Sequence, residues 1–463
     1  MKRNKKITLI SIILMTLLLI PSITFAKPDT TDEETTREVG DSITNVTQGK
    51  ENGYTYRIKN KKAYIMSYNT TEESIKSLVI PDKIKDCPVV SIQDEAFKNV
   101  PAKSIVIPKS VETIGDFAFY NCSELEDLTI KGCKKINTYA FSSCLNLENV
   151  IIEEGCKKIE ESAFLNSTMS TVTLPSTLKE IGSNAFTNCL NLTSFTVADN
   201  NKYFKSIDGV LYSKDEKTLI AYPSGKDLAS YTVNEKTTTI QNSAFYGNKN
   251  LETITLPKKL KKIGALSFYN TKSLKSIEIP KKVSTIGSEA FYGSVSLSNV
   301  TLKGTNTISK NAFAECESLT DVKLSDSLTE IKANAFENCT MLKNISLPDS
   351  IQTIGASVFR GCISLNKVTM PKGVNYIRDY AFADCTNLTE VNLGTGVTNI
   401  NKKAFSNCPK LTKFIAPSYN LGFIGKTVFD DSKNVVIYAP YNSYALRYAD
   451  ENKINTKNID AEY

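Results

Sequence analysis

The stretch Leu319–Met341, LTDVKLSDSLTEIKANAFENCTM, decides the fold, because a shift of 23 residues lays it on LKNISLPDSIQTIGASVFRGCIS, which starts at Leu342. One phenylalanine column carries that register along the chain, from Phe97, Phe119, Phe141, Phe164 and Phe186 to Phe245, Phe268 and on to Phe429. Successive members are 22 to 24 apart, except for 59 between Phe186 and Phe245. Self-similarity at such a period is the signature of a solenoid, in which each unit buries its apolar face only against its neighbours. In the coil of Phe336 the apolar places are Leu319, Val322, Leu324, Leu328, Ile331, Ala335, Phe336 and Cys339. Leu-x-x-Val-x-Leu alternates at its end like a short strand with one face inward. A proline follows in many coils (Pro175, Pro257, Pro280, Pro348); lacking an N–H, it ends the strand and turns the corner. The adjacent Ala-Phe pair would fall on opposite faces of a strand, so it predicts a tight helical or 3-10 turn. The expected fold is a mostly β, right-handed repeat solenoid of about 14 coils.

Around this core the chain divides readily. Residues 1–26 read as a signal peptide: Lys2–Lys6 is basic, Ile7–Ile20 is apolar and shorter than the ~20 residues of a membrane span, and Ala26 ends the expected cleavage site. No cysteine follows the apolar run and no second apolar span appears, so the mature protein is expected outside the cell without a transmembrane segment. Residues 27–50 lack aromatics and any period, and read as a flexible linker. Residues 51–76, with YTYRIKNKKAYIMSY alternating from Tyr54, read as an N-terminal β cap, and residues 77–438 as the solenoid. The extra length before Phe245 holds a hairpin signal near 199–225, expected as an island packed on the solenoid. Residues 439–463 read as a C-terminal cap and tail, with helical spacing over Ser443–Asn452.

Composition excludes several functions. The formal charge is +7, and setting aside Lys2, Arg3, Lys5 and Lys6 leaves +3 with both signs interspersed, which argues against a nucleic-acid partner. There is no histidine, so the commonest proton-transfer group and metal ligand is missing. No phosphate-binding loop, nucleophile elbow, paired-cysteine metal motif or cofactor motif is present, and no catalytic, cofactor or metal residue is expected. Eight of the 11 cysteines stand three residues after a column phenylalanine, where other coils hold Val100, Ser167 or Thr271. That place reads as one for a small buried side chain rather than a thiolate. Cys133 and Cys156 stand instead in consecutive Gly-Cys-Lys-Lys-Ile motifs about one strand spacing (~5 Å) apart, which makes them a candidate disulfide, although parallel Cβ vectors oppose the bond.

The repeated L-x-x-[VI]-x-[LI]-P-x-x-[VL]-x-x-I-x-x-x-A-F-x-x-C resembles the bacterial BspA-type leucine-rich repeat. The lead-in from Gly53, the segment Ser206–Tyr212 and the Ala439–Ala449 ending resemble that family's flanks. The resemblance implies a right-handed solenoid that is exported, surface-associated and engaged in adhesion or partner binding, with no catalytic residue to carry over.

Within that frame, the outward places of the strands, from Thr173 and Thr196 through Thr255, Thr301 and Thr369 to Asn392, form a polar and nearly uncharged face suited to an extended protein or glycan partner. Two local departures are candidate partner-binding features. Tyr246, Tyr269 and Tyr292 follow their column phenylalanines in three consecutive coils, as a binding platform or as a ring ladder shielding the coil edge. Lys258, Lys259, Lys261, Lys262, Lys281 and Lys282 crowd the corners after Pro257 and Pro280, as an anion-attracting patch or as a solvated corner. The expected function is an exported, non-catalytic scaffold for interaction or adhesion. The alternative is a secreted carbohydrate-active or wall-processing enzyme using a carboxylate pair.

Overall fold

A computed structural model describes residues 46–459; the expected signal peptide and most of the expected linker lie outside that range. The described chain is a β-solenoid of about 17 turns with almost no helix. A typical coil has a strand of three or four residues (Asn299–Leu302), a corner, a two-residue strand (Thr307–Ile308) and a turn that carries the column phenylalanine. Both strands pair in parallel with their counterparts one coil away, Val300 opposite Val322 and Ile308 opposite Ile331.

The turn supplies a third ladder. From Phe97 to Phe164 and from Phe245 to Phe405, the N–H of each column phenylalanine donates to the carbonyl of the residue before the next one, as from Phe97 to Ala118 (2.7 Å), Phe268 to Ala290 (2.7 Å) and Phe382 to Ala404 (2.8 Å). Bonds spanning three residues close the turn on itself, for instance Val100 N–H to the Phe97 carbonyl. Two residues per turn are left-handed, one two places before the phenylalanine (Leu266, φ 57°; Tyr380, φ 56°) and one two places after it (Asn338, φ 57°; Gly361, φ 70°). Asparagine and glycine at the second place are the residues that tolerate this backbone. Nothing in the side chains at the first place announces it.

Neighbouring column rings stack 4.7–5.6 Å apart with planes within 18°, in one run over Phe97–Phe186 and another over Phe245–Phe405. Tyrosines extend the runs. Tyr68 stacks on Phe97 at 5.4 Å and Tyr222 on Phe245 at 4.9 Å, and their N–H groups donate to Ala96 and Ala244 as a phenylalanine would. Tyr448 meets Phe429 at 6.5 Å from the helix Tyr444–Glu451, whose N-cap is Ser443. With these three rings the coil number exceeds the expected 14.

Tyr68 and Tyr222 each end a three-stranded meander. The first comprises Thr47–Glu51, Tyr54–Lys59 and Lys62–Tyr68, turning at Asn52–Gly53 (φ 48° and 81°). Its first strand draws Thr47–Lys50, expected as linker, into the sheet. The second comprises Phe204–Ile207, Val210–Ser213 and Thr218–Ala221, turning at Asp208–Gly209 (φ 51° and 79°). Asn-Gly and Asp-Gly are the pairs that a tight two-residue hairpin turn demands. The second meander lies within the stack rather than on its outside. Strand alternation sends Leu211 into a core that runs back to Tyr54, and Val210 and Tyr212 into a core that runs on to Ala449. One strand is thus the wall between two hydrophobic cores.

A partition of this kind should limit how far damage spreads. Phe336→Ala should cost the second core about 3–5 kcal/mol. Hydrogen exchange read by mass spectrometry should then show lost protection within residues 219–459 and unchanged protection within 54–204. Equal loss on both sides of the wall would mean a single cooperative core.

Candidate interaction surface

The cysteine place three residues after the phenylalanine is buried, and it is more than a small slot. Each of the eight thiols there donates to the carbonyl of the preceding coil's phenylalanine, for example Cys122 to Phe97 (3.2 Å) and Cys385 to Phe359 (3.1 Å). Ser167, Ser294 and Ser432 make the same bond at 2.8, 3.0 and 2.7 Å, which explains why serine substitutes there. Burial pushes the Cys189, Cys362 and Cys408 thiols up to about 12, so none is a nucleophile near neutrality. Cys133 and Cys156, the candidate disulfide pair, are both buried, with no bond drawn between them. They lie in parallel register, two residues before the paired Lys135 and Lys158, so their Cβ bonds point the same way rather than toward each other. The neighbouring Cys156 thiol and burial push the Cys133 thiol up, so it is held protonated.

Tyr246, Tyr269 and Tyr292 stack on one another at 4.8 and 5.1 Å, with planes within 8°. Their ring faces are therefore used within the ladder. Tyr269 is buried, and Tyr246 and Tyr292 are half-buried, so hydroxyl groups and ring edges are what face outward. Burial, with Glu289 nearby as a lesser cause, pushes the Tyr246 phenol up to about 12; burial also raises Tyr269 and Tyr292.

Lys258, Lys259, Lys261, Lys262, Lys281 and Lys282 are all exposed, and none forms an ion pair among the described residues. Their backbone is fixed: Leu260 and Val283 N–H close the corners onto Pro257 and Pro280 (2.9 and 3.0 Å), and Lys261 and Lys262 N–H share the Thr238 carbonyl (2.8 and 3.2 Å). These corners precede or open the short strands Lys262–Ile263 and Thr285–Ile286, whereas the tyrosines lie in the turn beyond them. The structure thus separates two features that lie close together in sequence, and no hydrogen bond or ion pair joins them.

The outward strand face is in register within each of three parallel sheets, with Thr173 opposite Thr196 in the first, and Thr232 opposite Thr255 and Thr301 between Glu278 and Lys323 in the second. Sequence reading missed its apolar N-terminal end. Val79 (63% exposed) stands opposite Val106, and Ile151 (54% exposed), three coils on from Val79, opposite Thr129. The signal was available, since both occupy a place where most coils put a polar residue.

For acid–base chemistry, the one adjacent carboxylate pair among the described residues in which a pKa is raised is Asp94 and Asp116. Burial, then the Asp94 charge, pushes the Asp116 carboxyl up. Each accepts a backbone N–H from the next coil, Asp116 to Asp94 (2.8 Å) and Thr138 to Asp116 (3.1 Å), so both cap the ladder. Neither main crevice holds two carboxylates: one is lined by Ile181, Phe186, Phe195, Tyr222 and Ser243, the other by Phe429, Asp430, Tyr448 and Ile454.

Comparison with known proteins agrees with this architecture. The family model of the BspA type leucine rich repeat region matches in six copies, over residues 90–207, 221–307 and 306–436. No curated protein matches the chain. Among solved structures, a leucine-rich repeat protein from Bacteroides ovatus is similar over 91% of this chain and 100% of its own, at 23% identity and a TM-score of 0.50. The pneumococcal vaccine antigen PcpA covers 89% of this chain and 99% of its own, at 22% identity and a TM-score of 0.49. A leucine-rich repeat protein from Eubacterium ventriosum covers 67% and 93%, at 21% identity and a TM-score of 0.49. At such identities the likeness is one of fold.

Two measurements check the buried groups. Under native conditions Ellman's reagent should reach Cys87 alone, the one cysteine that is not buried, and in guanidinium all 11 without prior reduction. Nine thiols in guanidinium would restore the disulfide. Burial holds Tyr54, Tyr222, Tyr246 and Tyr448 at about 12 in the folded chain against 10.0 for a free phenol. Their contribution to stability is complete below pH 10 and is lost as pH rises toward 12, because the unfolded phenols ionise first. Urea stability should fall across that window, ahead of the native phenolate absorbance of these four; full phenolate absorbance at pH 10 in the folded protein would show the rings open to water.

Proposed function

We propose that this chain, which belongs to the BspA-type leucine-rich-repeat family, is an exported, non-catalytic scaffold that binds a protein or glycan partner outside the cell. Adhesion to host, matrix or wall ligands is the use that fits it. The supporting observation is the outward strand face, where Thr173, Thr196 and Thr369 stand exposed on strands whose inward neighbours Val172, Leu174, Phe195 and Val368 are buried. Parallel strands spaced by ~5 Å and held on a rigid core offer an extended partner many similar contacts without any pocket. Rigidity matters here, because a preformed surface spares the ordering cost of binding. Export rests on residues 1–26; among the described residues no helix is long and apolar enough to cross a membrane. An enzyme of the carboxylate-pair class would need free acids in a cleft, and Asp94 and Asp116 are committed to backbone N–H groups.

Residues 27–463 should capture a partner from host-matrix or bacterial-wall fractions, and Thr255→Arg with Thr369→Arg should abolish that capture with an unchanged melting temperature. Tyr246→Phe with Tyr292→Phe keeps the ring ladder and removes two outward hydroxyls. Loss of capture in that variant, with the arginine variant unaffected, would move the contact to the turn and overturn the strand-face reading.

A further inference from the structure

In several coils a lysine is paired with a glutamate one coil away. Lys103 meets Glu126 (3.1 Å), Lys134 meets Glu112 (2.8 Å), Lys275 meets Glu252 (2.6 Å), and Glu390 is shared by Lys367 and Lys413 (3.2 and 3.3 Å). In-register stacking makes this easy, since any residue has a counterpart about one strand spacing away.

The corners of two consecutive coils gather six exposed lysines with no ion pair among the described residues. Lys258, Lys259, Lys261, Lys262, Lys281 and Lys282 carry six positive charges within coils whose column rings, Phe268 and Phe291, are 4.9 Å apart. The nearest counterparts give little relief. One coil earlier, Glu235 stands in register with Lys258 but forms no ion pair, and Glu216 is occupied by Lys205 and Lys236. One coil later the patch continues with Lys303, which Glu278 neutralises at 2.6 Å. The corner backbone is pinned by the bonds to Pro257, Pro280 and Thr238, so the charges cannot disperse by moving the chain. Ser284 and Thr285 place exposed hydroxyls beside them. A fixed array of mutually repelling ammonium groups is relieved by a ligand with closely spaced negative charges, and binding then releases the counterions both carried.

We infer that this lysine corner is a binding site for a linear polyanion whose charges are strong-acid esters, either phosphodiester or sulfate. The patch contains no arginine, so it offers point charges instead of the planar fork that selects one oxyanion geometry. Charge density is what it reads, and both ester types meet that requirement. The inference rests on the scaffold reading only in that coil exteriors do the binding; it concerns the corner, not the strand face.

The test is isothermal titration of residues 27–463 at physiological ionic strength with three polymers: a heparin-type sulfated oligosaccharide, poly(glycerol phosphate) and poly-glutamate. Two variants carry the same change in net charge. One replaces the six corner lysines with glutamine; the other replaces Lys109, Lys157, Lys179, Lys343, Lys372 and Lys402, which are exposed and dispersed. The expected result is binding of at least one ester polymer, with log affinity against log salt falling at a slope of about −4 for six contacts. The corner variant should lose at least tenfold, and the dispersed variant should stay within about twofold. Sulfate alone or phosphate alone identifies the source of the ligand. No ester binding, equal loss in both variants, or binding of poly-glutamate in place of either ester overturns the inference. Protein capture through Thr255 and Thr369 is scored separately, so the two readings fail independently.

Discussion

Everything in this chain follows from the ladder that runs through the phenylalanine turn. A turn with two left-handed residues cannot satisfy its own backbone. Its phenylalanine N–H must reach the neighbouring coil, at 2.8 Å from Phe291 to Ala312 and 2.9 Å from Phe313 to Ala335. The carbonyl of the same phenylalanine takes the thiol or hydroxyl of the next coil, and its ring stacks on the next ring. Backbone spacing, S–H···O contact and ring stacking all fix the same interval. That coincidence makes the repeat strict, because a side chain that upset one contact would upset three. An unpaired buried backbone group costs free energy comparable to a lost hydrogen bond, so no coil is stable alone.

A stack held by donors and acceptors pointing along its axis must end somewhere, and the ends are where the sequence departs from the repeat. At both starts a meander supplies the missing layer, and a tyrosine takes the phenylalanine's place. Tyr222 is 23 residues before Phe245, so in the second core the column spacing holds from Tyr222 to Phe429. In mid-chain it lapses between Phe186 and Tyr222. There Phe186 turns instead to Phe195, edge-on at 5.3 Å, and buried polar atoms of Asn184, Tyr222 and Ser243 lack partners. Two continuous cores meeting at an imperfect seam is what results when a stack starts afresh against the end of another.

The sequence was informative wherever a side chain itself makes the contact. Phe336, Ile331 and Leu328 announce the core by spacing, and Tyr54–Tyr68 announces a hairpin by alternation around Asn60–Lys61. It was silent where the backbone makes the contact. No chemical feature shared by Leu266, Tyr380 and Phe117 marks a left-handed residue, and only the asparagines and glycines on the other side of the turn betray that conformation. Tyr222 shows the intermediate case. Its register was countable, but the column looked exclusively phenylalanine, so the second meander read as an excursion. Tyr246, Tyr269 and Tyr292 were visible as a row, while their burial depends on how far the turn folds over them, which periodicity does not encode.

The same strictness tells where to look for function. With each coil's apolar places assigned to the interior, charges go outside, where an ion pair between coils is worth about 0–1 kcal/mol and exerts little demand on the fold. Pairs such as Lys103–Glu126 are therefore weak evidence of anything beyond local neutrality. A run of like charge on that background is different, because it lacks even that modest return and works against its own folding. Outward residues are free to vary without harm to the stack, so what distinguishes one such solenoid from another lies in local departures from its own habit: Val79 and Ile151 among polar neighbours on the strand face, and the lysine corner of two adjacent coils.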